Sequence, residues 1–266
     1  MIIIINMRIS LRELFSGLND NYFPCNNNAD LFGFAEDEPC VRRYEQTDID
    51  FLNAYFSGEF NASLLKGQAR RLFDISFNAF DIFLHAWLSE LPVEKETINY
   101  GRKIIAVSQT ANTQEQKRNT AENITANRTD SDTLAVLNAA GKTGQEAHRM
   151  MGLLRFSPNK DGEFIARCEP DHFILPSLGE YFTSRFGETS WSIIDIKRSQ
   201  CLRRIPPKPA KTCIIDKTLI KMSETNDEWE DLWKHYHKII NNEDRNNPDL
   251  QRQFMPKRYW KYLPEK

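Results

Sequence analysis

The five cysteines of this 266-residue chain are too few and too scattered to organise a disulfide framework. They are odd in number and contain no Cys-x-x-Cys pair, which argues against iron–sulfur and zinc sites. We therefore expect a protein of the reducing cytoplasm, without a resident metal or cofactor.

Long apolar runs are also missing. The opening run of four isoleucines, Ile2–Ile5, has no basic residue before it and is too short for a signal peptide or a membrane helix. It predicts a buried strand, and no membrane partner is expected. A phosphate-binding loop is excluded as well, because Val136 stands where the glycine before "AAGKTG" would be needed.

A strong overall charge is absent, since the net charge is −2, but the charges are unevenly distributed. Residues 20–96 hold fourteen acidic and six basic residues, whereas residues 197–217 hold seven basic and one acidic. Residues 245–266 add six basic and two acidic residues. A basic second half indicates a polyanionic or acidic partner, or two halves that pack together and neutralise each other.

Apolar periodicity predicts an acidic, mainly helical half over residues 1–108, with Pro92 separating two of its helices. Residues 109–133 carry one large apolar residue, Ile124, and are predicted to be a polar linker or insertion, either a mobile loop or a solvated helix. Residues 134–266 are predicted to be a basic α+β half, beginning with a helix over Leu134–Leu154 and including an amphipathic helix over residues 226–240.

Helices flank a few strands in this pattern without regular βαβ alternation. We therefore predict an α+β fold that is predominantly helical, with a small, mostly antiparallel sheet, in one compact domain overall.

Two clusters of polar residues are candidates for chemistry. On the helix "GQEAHRMMGLLRF", His148, Arg149 and Arg155 could contact a phosphate or a base, or could lie on a solvated surface. In "CEPDHFILP", Glu169 and His172 follow a predicted strand, where they could act as acid, base or metal ligand, or could cap a turn. The candidate catalytic residues are Glu146, His148, Glu169 and His172.

Two further segments could bind nucleic acid. Lys197 and Arg198 end the strand "SWSIIDIKRS", where they could contact phosphates or form a solvated charge run. In the C-terminal segment, Asn247 and Pro248 predict a helix start and Pro256 a break before a second helix. Its rings could stack on bases while its cations take phosphates, or could dock onto the core. The candidates there are Arg245, Arg252, Lys257, Arg258, Tyr259 and Trp260.

Four sequence motifs resemble an uncharacterised bacterial family labelled probable DNA metabolism protein. They are "EAHRMMGLLRF", "ARCEPDHFILP", "WSIIDIKR" and "LWKHYHKIINNEDRNNPDLQRQFMPKRYWKYLPE". The resemblance is close from Gly144 to Glu265 and looser over the first half, where "HAWLSELP" matches best.

The resemblance implies a domain found alone or fused behind a uracil-DNA-glycosylase-like domain, and paired with a radical S-adenosylmethionine (SAM) protein. This chain lacks the Cys-x-x-x-Cys-x-x-Cys cluster motif, so the radical chemistry would belong to the partner. We expect a DNA-binding accessory or processing factor in a DNA repair or modification pathway. The expected partners are single-stranded or damaged duplex DNA, the radical SAM protein and a uracil-DNA-glycosylase-like protein.

Two alternatives stay open beside this expectation. One is an enzyme that acts on DNA or nucleotides through the Glu/His site, and the other is a protein-docking adaptor without chemistry of its own. The DNA-binding expectation depends on one physical idea: arginines from distant segments of the second half converge into a positive cradle edged by exposed rings.

Overall fold

The computed structural model of the protein describes residues 9–19, 44–215 and 247–263, together with positions 235 and 239. The isoleucine strand, most of the helix predicted over residues 226–240 and Arg245 lie outside these residues. The chain divides into two compact units, one made of residues 1–55 and 59–144, the other of residues 56–58 and 145–266. The division falls within one long helix, whereas the boundary predicted from the sequence is the polar segment over residues 109–133.

The first unit is helical in the part that the structure describes. Its helices are α1 (Leu11–Ser16), α2 (Gln46–Phe56), α3 (Gly67–Ile75), α4 (Phe77–Leu88), α5 (Glu94–Thr110), α6 (Gln114–Ala126) and the first part of α7 (Ser131–Leu153), with a 3-10 turn over Ala62–Leu64. Helix α4 ends before Pro92 and α5 begins after it, which confirms the predicted separation.

Aromatic side chains from α1 and α4 fill the core of this unit. Phe80 and Phe83 are fully buried, and Phe15 lies over both rings with centroid distances of 6.1 and 6.2 Å. Helix α5 approaches closely at Gly101, where an added Cβ would lie 2.5 Å from Leu18 Cδ2. A side chain at residue 101 would therefore require the side chains of Leu18, which follows α1, and Phe83, which lies on α4, to shift.

Helix α6 lies within the polar segment 109–133. It begins at a capping box in which Thr113 and Gln116 bond each other's backbone N–H groups. It contacts α3, α4 and α5, and its Ala121 is fully buried. The segment thus packs through small side chains, although its composition predicted little anchoring to a core.

The second unit contains the end of α7 and a five-stranded sheet. The strands are β1 (Phe156–Pro158), β2 (Phe164–Cys168), β3 (Trp191–Asp195), β4 (Gln200–Arg204) and β5 (Lys211–Ile214), which lie in that order. Strands β2 and β3 pair in parallel and the other neighbours are antiparallel. Helix α8 (Gly179–Phe186) connects β2 to β3, as a parallel pair requires.

Trp191 and Phe182 form the centre of the second core, with ring centroids 6.0 Å apart and both side chains buried. Helix α9 (Pro248–Phe254) and a 3-10 helix (Lys257–Tyr262) follow near the C-terminus. The predicted α+β class, mainly helical with a small and mostly antiparallel sheet, is confirmed. None of the helices that the structure describes combines the length and apolar character that a bilayer crossing requires.

Candidate functional site

Four separated motifs of the second unit meet at the turn Glu169–His172, which directly follows β2. Helix α7 contributes Glu146, and the end of β3 contributes Asp195 and Arg198. The C-terminal 3-10 helix contributes Arg258, Tyr259, Lys261 and Tyr262. We call this set the turn network.

Glu146 is the centre of the turn network. Its side chain is 3% exposed, and its two carboxylate oxygens accept hydrogen bonds from the backbone N–H groups of Asp171 (3.0 Å) and His172 (2.7 Å). The Tyr259 hydroxyl donates a third bond, and Arg258 Nη2 lies 3.6 Å away. The carboxylate therefore holds the turn and the C-terminal helix together, which is a structural use of the charge.

Asp195 and Arg198 form a buried ion pair below the same turn. Both side chains have no exposed surface, and Arg198 Nη1 lies 2.7 Å from Asp195 Oδ2. The guanidinium also donates to the carbonyl oxygens of Pro170 (3.0 Å) and Asp171 (2.8 Å). The predicted phosphate contact by Arg198 is corrected, because the guanidinium is buried and bound to three internal acceptors.

Glu169 is bound from the C-terminal helix. Lys261 Nζ lies 2.5 Å from one of its oxygens, and the Tyr262 hydroxyl donates to the other at 2.6 Å. Burial opposes ionisation of Glu169, but these two partners outweigh it and lower its pKa. Glu169 is thus a charged acceptor rather than a proton donor near neutral pH.

The C-terminal 3-10 helix pairs each of its cations with a ring. Lys257 Nζ lies 5.9 Å from the centre of the Trp260 ring, the Arg258 guanidinium 4.6 Å from Tyr259, and Lys261 Nζ 5.0 Å from Tyr262. Trp260 is half-buried and its indole N–H donates to the Met255 carbonyl at 2.8 Å.

Tyr259 differs in exposure from the prediction. Tyr259 is only 2% exposed, so its predicted role in stacking on a base is corrected. Burial and the neighbouring Glu146 raise the pKa of its hydroxyl, which therefore stays protonated as a donor.

The other predicted residues lie at different places. On α7, His148 is exposed and Arg149 half-buried, while Arg155 donates to the Gly152 carbonyl at 2.9 Å. Arg252 on α9 pairs with Asp249, and Lys197 donates to the Asp171 carbonyl at 3.2 Å. Of the four candidate catalytic residues, Glu146 and His172 are joined by a hydrogen bond from the His172 backbone N–H to the Glu146 carboxylate. The Glu169 carboxylate is instead bound by the C-terminal 3-10 helix.

No group of three His, Cys, Asp or Glu side chains that could hold a metal ion occurs within residues 9–19, 44–215 and 247–263.

A cleft in the first unit was missed from the sequence. It has a volume of about 340 Å³ and lies between α4 and α7. His85 Nδ1 lies 3.3 Å from Asp81 Oδ2, and the Tyr55 hydroxyl donates to Asp81 at 2.9 Å. The i,i+4 spacing of Asp81 and His85 is the sequence signal for this pair. The lining residues are Asp81, Ile82, His85, Leu137, Ala140, Gly141 and Gly144.

One family model matches the chain over residues 105–265, and its description is a domain of unknown function, DUF4130. This match covers the turn network and every predicted site residue. Neither the curated proteins nor the solved structures provide a match.

Proposed function

Because the chain belongs to the DUF4130 family of uncharacterised domains, we propose that it is a DNA-binding accessory or processing factor of DNA repair or modification. In this proposal it acts in the cytoplasm with a radical SAM protein and binds single-stranded or damaged DNA. A uracil-DNA-glycosylase-like protein is a further proposed partner. The motifs that resemble the probable DNA metabolism family lie within the matched region.

The observation that carries the proposal is the row of cation–ring pairs on the C-terminal 3-10 helix. The side chains of Arg258 and Lys261 are 45% and 54% exposed, and Lys257 is exposed as well. Exposed cations beside rings suit single-stranded nucleic acid, because the cations take phosphates while a ring stacks on a base. Trp260 beside Lys257 and Tyr262 beside Lys261 are both half-buried rings next to an exposed lysine, and Trp260 is the one predicted to stack on a base.

The cationic surface is smaller than the cradle predicted from the sequence. Arg198 and Tyr259 are buried, so they do not belong to this surface. Of the cations predicted in the C-terminal segment, Arg252, Lys257 and Arg258 are exposed, and Lys261 adds a cation that was not among the predicted site residues. Arg258 also lies 2.8 Å from Asp171, which offsets part of its charge.

The enzyme alternative receives less support from the contacts. Glu146 and Glu169 accept hydrogen bonds from two or more internal donors each, so neither carboxylate is poised to move a proton. The adaptor alternative is weakened similarly, since the buried Tyr259 and the bonded Tyr262 fix the C-terminal helix to its own unit.

DNA binding is tested by fluorescence anisotropy with the full-length protein and labelled single-stranded, duplex and uracil-containing oligonucleotides. We expect affinity to fall as salt rises from about 50 to 200 mM, with a log–log slope near −0.7 per phosphate contacted on single strands. Lys257→Gln should weaken binding and reduce that slope by roughly 0.7. Lys160→Gln, an exposed lysine in the β1–β2 turn, is the matched control and should change neither.

A second variant separates stacking from charge. Trp260→Leu should reduce affinity for single strands by about 1–3 kcal/mol while keeping the salt slope. Circular dichroism establishes that the variant is folded. Affinity that is flat with salt, or equal losses in Lys257→Gln and Lys160→Gln, would exclude DNA binding by this segment.

A further inference from the structure

Two cysteines stand opposite each other at one edge of the described sheet. Strands β4 and β5 pair antiparallel with Cys201 in register with Cys213, so both side chains project from the same face. Opposed residues of an antiparallel pair have Cα atoms about 4.5–5.5 Å apart. That spacing lies within the roughly 4.4–6.8 Å that a disulfide bond spans.

The two thiols differ in their surroundings. Cys201 is 6% exposed, whereas Cys213 is exposed and its thiol donates to the Cys201 carbonyl at 3.5 Å. A hydrogen bond from the Cys201 thiol lowers the pKa of Cys213 to about 7; burial opposes this shift and the charge of Arg203 assists it. The same bond and burial raise the pKa of Cys201. Cys213 is thus the more nucleophilic thiol and the accessible one.

We propose that Cys213 and Cys201 form a redox-active dithiol that reacts with low-molecular-weight disulfides. The Cys213 thiolate attacks one sulfur of the small disulfide, forms a mixed disulfide and expels one small thiolate. The Cys201 thiol then loses its proton and attacks Cys213 Sγ, which forms the Cys201–Cys213 bond and expels the second small thiolate. The protein loses two electrons and two protons, and the small disulfide becomes two thiols.

The arrangement suits this order of attack. An attacking thiol is most effective when its pKa lies near the ambient pH, as for Cys213, and a resolving thiol needs only to reach its neighbour. The product would tie β5, an edge strand of the described sheet, covalently to β4. This site does not involve the proposed DNA-binding segment. A measurement separate from the DNA-binding assay therefore tests it.

The test uses full-length protein carrying Cys25→Ser and Cys40→Ser, oxidised glutathione as the small disulfide, and peptide mass spectrometry. We expect residues 201 and 213 to become cross-linked with the loss of two hydrogens. Adding Cys201→Ala should stop the reaction at a stable glutathione adduct on Cys213. Cys168 is the internal control, because it is fully buried and burial raises its pKa, so it should stay reduced.

A kinetic measurement keeps the proposal testable if Cys201→Ala does not fold. In the otherwise unchanged background protein, the rate of Cys213 alkylation by iodoacetamide should rise with a midpoint near pH 7 and exceed that of Cys168 at least tenfold. Arg203→Gln should move the midpoint to higher pH. A glutathione adduct that persists on Cys213 with Cys201 present, or an unreactive Cys213, would overturn the proposal.

Discussion

Asp81 and His85 form a partly buried ion pair in which the pKa of each side chain is shifted. Burial disfavours the charge of each, but their hydrogen bond and mutual attraction outweigh it. The pKa of His85 is therefore raised and that of Asp81 lowered, with the Tyr55 hydroxyl as an additional donor to the carboxylate. The pair stabilises the folded chain only while both groups are charged.

This pair predicts a pH-dependent stability. Because the folded pKa of His85 is raised, its contribution is complete below the unfolded value of about 6.5 and is lost as pH rises through the folded value. The lowered pKa of Asp81 means that its contribution is lost as pH falls below about 3.9 towards the folded value. The unfolding free energy of His85→Gln, measured in urea, should thus lie furthest below that of the native chain between these limits.

The control for this measurement is His148→Gln, since His148 is exposed on α7. Its unfolding free energy should follow that of the native chain at every pH. If the deficit of His85→Gln stayed constant from mildly acidic to alkaline pH, the ion pair would contribute nothing to stability.

At the scale of elements, the C-terminal 3-10 helix is held by hydrogen bonds to two carboxylates of different exposure. Tyr259 donates to Glu146, which is 3% exposed, and Tyr262 donates to Glu169, which is 33% exposed. Water can replace a lost donor at Glu169 but not at Glu146.

We therefore predict unequal costs for two chemically identical changes. Tyr259→Phe removes a donor from a buried carboxylate and should lower the unfolding free energy by about 1–3 kcal/mol. Tyr262→Phe should cost about 0.5–1.5 kcal/mol, because the remaining acceptor is hydrated. Urea unfolding followed by tryptophan fluorescence measures both, and equal costs would contradict the assigned burial.

The local signals of these elements could be predicted from the sequence. Asn247 accepts from Leu250 N at the start of α9, Pro248 is the first helical residue, and a new helix begins after Pro256, all as predicted. Such signals depend on neighbours along the chain. Helix α6 corresponds to the helical alternative for residues 109–133, and its Thr113–Gln116 capping box is visible in the sequence. Its packing against α3, α4 and α5 was not predicted, because the segment holds few large apolar residues.

The chemistry of the candidate site was less predictable. The motifs at Glu146, Glu169 and Arg198 do converge, but as internal partners rather than as a surface of free charges. Burial of Arg198 and Tyr259 follows from contacts between residues far apart in sequence. Charge and aromaticity alone do not distinguish a cation that meets a phosphate from one that meets a carboxylate.

At the scale of the whole molecule, the limits of the family match differ from those of the compact units. The match begins at residue 105, inside α5, whereas the second unit begins at residue 145 apart from residues 56–58. Ile105, Val107 and Ala121 are buried in the first unit, although they fall within the matched region.

A pair of fragments should therefore behave differently. A fragment of residues 105–266 carries part of α5 and all of α6 without the helices that bury them, so it should bind the dye ANS and associate. A fragment of residues 145–266 contains the second unit apart from residues 56–58, so it should be monomeric with a cooperative thermal transition. Light scattering and calorimetry compare them. A monomeric 105–266 fragment without dye binding would show that α5 and α6 do not need the first unit.

Arg258 has two possible partners, the carboxylates of its own unit and the phosphate of a bound nucleic acid. Its guanidinium lies against the Tyr259 ring, 2.8 Å from Asp171 and 3.6 Å from Glu146. A phosphate drawn to this arginine would have to approach two carboxylates, so tight capture would require the guanidinium to swing away from them. Binding of a phosphate to Arg258 would then loosen the C-terminal 3-10 helix. The rate of cleavage by a protease that cuts after exposed basic residues would rise in this helix when the ligand is bound.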